Sequence, residues 1–180
     1  YMEEGEDPCH FGQDLRCREA VECVLDSARE AAKPTGRRCT VVFHPGEISP
    51  DPRPADLPKY RRRMVERAKR FLAYLEEAAA KAGSGVRVVV EHQVPPGRAE
   101  HIVRVGDTAE ELLQVVDGTA LELCLDVGHY IRAAARYGQP EHPPDELLDR
   151  TAYVHLHDVV DGVDHRPVTP PGEGDSLAPG

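Results

Sequence analysis

Three short runs, Val-Val-Val-Glu-His (88–92), Cys-Leu-Asp-Val-Gly-His (124–129) and Tyr-Val-His-Leu-His-Asp (153–158), pass from unbroken apolar residues straight into ionisable ones. Apolar runs of this length predict parallel strands buried on both faces. The ionisable groups at their C-terminal ends then belong at the mouth of the sheet, the edge on which α/β folds build their sites. A fourth run, Cys-Thr-Val-Val-Phe-His-Pro-Gly (39–46), has the same form and ends in His44. Roughly 30 to 40 residues separate the ends of the first three runs, about what one helix and two loops require in a βα repeat. The four ends together direct His44, Glu91, Asp126, His129, His155 and His157 toward one rim. Carboxylates with neutral imidazoles are a ligand set for a divalent metal of the zinc, manganese or iron type.

A chain of 180 residues, 40% of them hydrophobic, can bury one sizeable core. It is expected to be a single domain over 1–180, with a βα core over 12–158 and an irregular tail over 159–180. A formal charge of −10 weighs against a nucleic-acid partner, which wants a basic face, although bound metals can supply positive charge locally. The five cysteines are odd in number. Cys17 and Cys23 fall on a predicted helix and Cys39 and Cys124 in strands, the pattern of reduced structural residues in a cytoplasmic protein. No stretch is apolar for long enough to cross a membrane, and the first seven residues are acidic where a signal peptide is basic and then apolar.

Between the strands the periodicity predicts helices. One spans about 13–32 with Leu15, Val21, Val24, Leu25 and Ala28 near one face; a longer one spans 57–82 with Tyr60, Met64, Phe71 and Leu75 on a stripe. Pro34 to Gly36 and Gly83 to Gly85 end them, and five prolines between 45 and 58 mark a loop. Asp107, with Glu110 three residues on, resembles the start of a helix capping box. Further helices are expected from about Ile131 and over 145–149. Residues 158–180 show no periodic segment. The arginines at 61–63 read as the solvated start of a helix, and His10, His92, His101 and His142 as surface residues.

Taken in order, the His-Pro-Gly after a strand, the strand ending in Glu91, Cys-Leu-Asp-Val-Gly-His, Val-His-Leu-His-Asp, Asp-His-Arg (164–166) and Pro-Gly-Glu-Gly-Asp (171–175) resemble the xylose isomerase-like TIM-barrel superfamily, over about residues 12–176. That superfamily holds sugar and sugar-phosphate isomerases and epimerases, inosose dehydratases and type IV apurinic endonucleases. The resemblance implies an α/β fold, a partial (β/α) TIM barrel of about four parallel strands with intervening helices. It implies a divalent metal (manganese, zinc, cobalt, magnesium or iron) held by Glu91, Asp126 and His155, with Glu91 also a catalytic carboxylate. Of the neighbours His155 and His157, it selects His155. His129 would act on substrate or bind a second metal, and His165 and Arg166 would hold substrate oxygens. His44 would contact substrate, or serve as a ligand in the endonuclease branch. Glu173, between two glycines, does no more than end a loop.

A complete barrel of this type has eight strands in roughly 250 residues, so four strands imply a chain truncated at both ends relative to the family. The first expectation is a metal-dependent sugar or sugar-phosphate isomerase or epimerase that moves a proton next to a carbonyl, with activity weakened by the truncation. Its partner is a small sugar or sugar phosphate. The second is an endonuclease-like phosphodiesterase of DNA repair. His44 favours it, whereas His92 and Gln93 after Glu91, and the adjacency of Asp164 and His165, oppose it. The third is an inactive partial barrel that binds a partner or a second copy of itself through open sheet edges.

Overall fold

The computed structural model describes residues 15–48, 57–97, 102–160, 163–166 and 168. A parallel sheet in the order β1-β3-β5-β6 is formed by β1 (Cys39–Phe43), β3 (Val86–Glu91), β5 (Glu122–Asp126) and β6 (Thr151–His155). These are the four strands expected from the apolar runs. The helices between them are α1 (Leu15–Ala32), which precedes β1, α2 (Leu57–Ala82), α3 (Ala109–Val116), α4 (Val127–Tyr137) and α5 (Asp145–Arg150). Two short antiparallel pairs complete the described residues, β2 (Glu47–Ile48) with β4 (Val103–Arg104), and β7 (Asp158–Val160) with β8 (Val163–Arg166). No described helix is long and apolar enough to cross a membrane.

Strand alternation divides the sheet into two faces. In register, Val41 pairs with Val88, Phe43 with Val90, and Val90 with Leu123. These positions join the core with Leu25 and Ala28 of α1, with Met64, Phe71, Leu72 and Leu75 of α2, and with Leu112, Val115 and Val116 of α3. Of the stripes read for α1 and α2, Val21, Leu25, Ala28, Met64, Phe71 and Leu75 are buried, Tyr60 is half-buried and Val24 is exposed. Gly36, at φ +62°, returns its N–H to the Ala32 carbonyl and closes α1, a left-handed conformation that a side chain would oppose. The other face carries Val89, Glu91 and Cys124, with Asp126 and His155 paired at the end of β5 and β6.

Five expectations are corrected. The edge strand β6 is not buried on both faces: Tyr153 and Val154 are exposed, and nothing among the described residues pairs beyond it. The cap of α3 is Thr108 rather than Asp107, its hydroxyl accepting from the Glu111 N–H. Asp107 is instead fully buried against Arg61, which also grips Glu111, so Arg61 is an ion-paired clamp and not a solvated helix start. The helix expected from Ile131 begins at Val127, and the stretch read as irregular after 158 contains the β7–β8 pair.

Candidate metal centre

His44, Glu91, Asp126 and His155 stand at or one residue beyond the C-terminal ends of four adjacent parallel strands. The Glu91 carboxylate lies between two imidazoles, His44 Nε2 at 2.5 Å from Oε2 and His155 Nδ1 at 2.5 Å from Oε1. His155 makes this contact across β5, above Cys124, because Glu91 pairs in register with Cys124. Burial alone would raise the Glu91 carboxyl, but the hydrogen bonds and charges of His44 and then His155 outweigh it and hold it below the usual range. Cys124 is driven the other way. Burial, with Glu91 and Asp126 nearby, pushes its thiol up to about 12, so it stays a neutral wall group.

Asp126 organises the second half of the centre. It ends β5 and caps α4, with Oδ1 accepting from the His129 N–H at 2.9 Å and from His157 Nε2 at 2.7 Å. Its Oδ2 lies 3.6 Å from His155 Nδ1 and 3.8 Å from His129 Nδ1. His129 Nδ1 donates to the His92 carbonyl at 2.8 Å, which fixes the tautomer and leaves Nε2 as the basic nitrogen. His157 Nδ1 accepts the His165 N–H at 2.9 Å. The two rings stack with centroids 4.4 Å apart, and His165 adopts φ 58°, left-handed backbone rare for a non-glycine residue.

Among the described residues two clusters result: Glu91 and His155 beside the neutral Cys124 thiol, and Asp126, His129, His157 and His165. Carboxylate oxygens with imidazoles, His129 among them with its Nδ1 already engaged by a carbonyl, are a donor set for a zinc-type or manganese-type ion. Of the three ligands that the resemblance implies, Glu91 and His155 fall in one group and Asp126 in the other, 3.6 Å from His155. His129 and His165 join the Asp126 group, His44 sits on Glu91, and Arg166 is exposed at the end of β8. The resemblance selects His155 over His157, yet the structure brings both in, one to each carboxylate. Its signal in the sequence is the alternation shared with His155.

His92 is not a surface residue. It is fully buried, with neither ring nitrogen hydrogen-bonded, and burial followed by the charge of His129 lowers its pKa to about 4. The reason is strand continuation: the His92 N–H bonds the Cys124 carbonyl, carrying β3 one residue further into the core. His142 is exposed as expected, while His10, His101 and Glu173 lie outside the described residues.

A family model described as xylose isomerase-like TIM barrel matches residues 7–179. The crystal structure of endonuclease IV from Thermus thermophilus is similar, with a TM-score of 0.51 and 27% sequence identity over 87% of this chain and 53% of that one. The chain thus spans about half the length of that protein. No curated protein matches.

Proposed function

The chain belongs to the xylose isomerase-like TIM-barrel family, and from that premise we propose that its site serves metal-dependent phosphodiester hydrolysis of the endonuclease kind, on DNA carrying an abasic site. The observation that carries this reading is the clasp on Glu91. Both of its carboxylate oxygens are taken by histidines from different strands, His44 and His155. A carboxylate held in this way suits metal ligation better than proton transfer, which needs an oxygen turned toward the substrate carbon. The similarity to endonuclease IV, at 27% identity, supports the same choice.

His44, Glu91 and His155 would hold one part of the metal centre, and Asp126, His129, His157 and His165 the other. Bound divalent ions would supply a hydroxide at neutral pH and offset charge on the phosphoryl oxygens. The chain's own contribution is orientation. Asp126 fixes the start of α4, and the His92 carbonyl aims His129. His165 is exposed and stacked on His157 at the rim.

The test is incision of a DNA duplex with one abasic site, in zinc or manganese, by the chain and by Glu91→Gln. Metal-dependent incision lost in the variant supports the proposal. No incision, together with ketose–aldose exchange of a sugar or sugar phosphate in deuterated water, would replace it with the second reading, a sugar isomerase or epimerase. The adjacency of Asp164 and His165, and His92 and Gln93 after Glu91, favour that second reading.

A further inference from the structure

Arg132 and Arg136 follow His129 on α4 at the third and seventh positions, so the three residues share one stripe of the helix leading away from the metal centre. Along the axis the two arginines are about 6 Å apart. They border a cavity of about 730 Å³ whose other walls include Pro95, Pro96, Ile131 and Val159. That size falls within the range of small-ligand sites, about 300–1,000 Å³. The Arg136 guanidinium lies 5.7 Å from the centre of the Tyr137 ring, a cation–π contact that restrains it at the wall.

The pairing of charge and surface narrows the occupant. Planar guanidinium forks match the oxygens of a phosphate, and two of them one turn apart meet successive anionic groups along a strand. The proline, isoleucine and valine surface beside them suits a sugar or a base. In a chain of net charge −10, two arginines lining a cavity on the helix that starts at the metal centre stand out from an acidic background. We propose that this cavity is an anion subsite that grips a backbone phosphate of a nucleic-acid strand, next to the phosphate held at the metal centre. The proposal rests on the phosphodiesterase reading and adds how the substrate strand is held.

The experiment is fluorescence anisotropy of an end-labelled, undamaged single-stranded 12-mer with the full chain in zinc, at a series of salt concentrations. Arg132→Ala/Arg136→Ala is expected to weaken binding at least about tenfold and to reduce the slope of log affinity against log salt by about 1 to 2. Arg29→Ala, on α1, should change neither. Arg136→Glu, an exposed single change, should weaken binding further than Arg136→Ala and guards against a folding defect in the double variant. Unchanged affinity and slope in the arginine variants, or no binding by the parent chain, would overturn the subsite. Protection of the two arginines by inorganic phosphate, with the oligonucleotide binding the double variant as well as the parent, would assign the cavity to a free phosphate and overturn the nucleic-acid occupant. Glu91→Gln separates the two ideas. It should abolish incision and keep arginine-dependent binding, so a failed incision assay would sink the phosphodiesterase reading while leaving the cavity's affinity measurable.

Discussion

Gly128 decides whether His157 can reach Asp126. A Cβ at position 128 would lie 2.1 Å from Cε1 and 2.5 Å from Nδ1 of the His157 ring. Gly128→Ala therefore has to push the ring off the carboxylate. The expected result is a loss of about 1–3 kcal/mol in stability and weaker zinc binding in calorimetric titration. Full zinc affinity in the variant would remove His157 from the centre. His92 makes a second prediction. Its buried ring titrates at about 4 against 6.5 for the ordinary group, so in that window the unfolded chain binds a proton that the folded chain refuses. Stability must then fall as the pH drops from 6.5 to 4, by about 3 kcal/mol across the window. Glu91, held low, adds stability that is present above the ordinary carboxylate range and lost as the pH falls below it. Urea-unfolding midpoints against pH should show this acid limb, and His92→Leu should flatten its upper part; an unchanged limb would show that His92 is protonated in the fold. Neither residue's role was fully legible in the sequence. Alternation placed His155 and His157 on one face, but dividing them between Glu91 and Asp126 needs the register of β3 on β5.

Between elements, the Arg61 clamp does what the sequence hid. It joins α2 to the start of α3 through Asp107 and Glu111, and the Tyr137 hydroxyl reaches the same Asp107 from α4 at 2.7 Å. Arg61→Ala leaves a fully buried carboxylate with only a phenol for company, at an expected cost of about 3 kcal/mol. Arg61→Met with Asp107→Asn should recover much of that loss in denaturant unfolding; no recovery would mean that Arg61 matters through packing alone. A run of three arginines looks solvated because composition carries no information about a partner 46 residues away. The strands, by contrast, were plain from their apolar runs, and α1 and α2 from their period and glycine stops. The start of α4 was missed for a local reason. Gly128 is a poor helix former, and Asp126 had already been read as the end of a strand. The β7–β8 pair is not legible because strands of three and four residues are too short to show either period.

At the scale of the molecule, the βα order and the rim followed from spacing, although the interval between β5 and β6 holds two helices, α4 and α5. The edges did not. Val154 on β6 is half exposed and Leu156 just beyond it is 67% exposed, and nothing among the described residues covers them. An unpaired strand beside bare aliphatic side chains is an association surface. The 180-residue chain is expected to show concentration-dependent mass in sedimentation velocity, reduced in Leu156→Lys; a constant monomer mass at high concentration would show that this edge is not sticky. One residue links this scale to the first. Asp126 finishes a central strand, caps the next helix and sits among the histidines. Replacing it would harm folding and chemistry in the same stroke. Natural selection for a foldable product alone would preserve that carboxylate in a descendant that had given up catalysis, so its persistence among relatives would testify to architecture before it testified to activity.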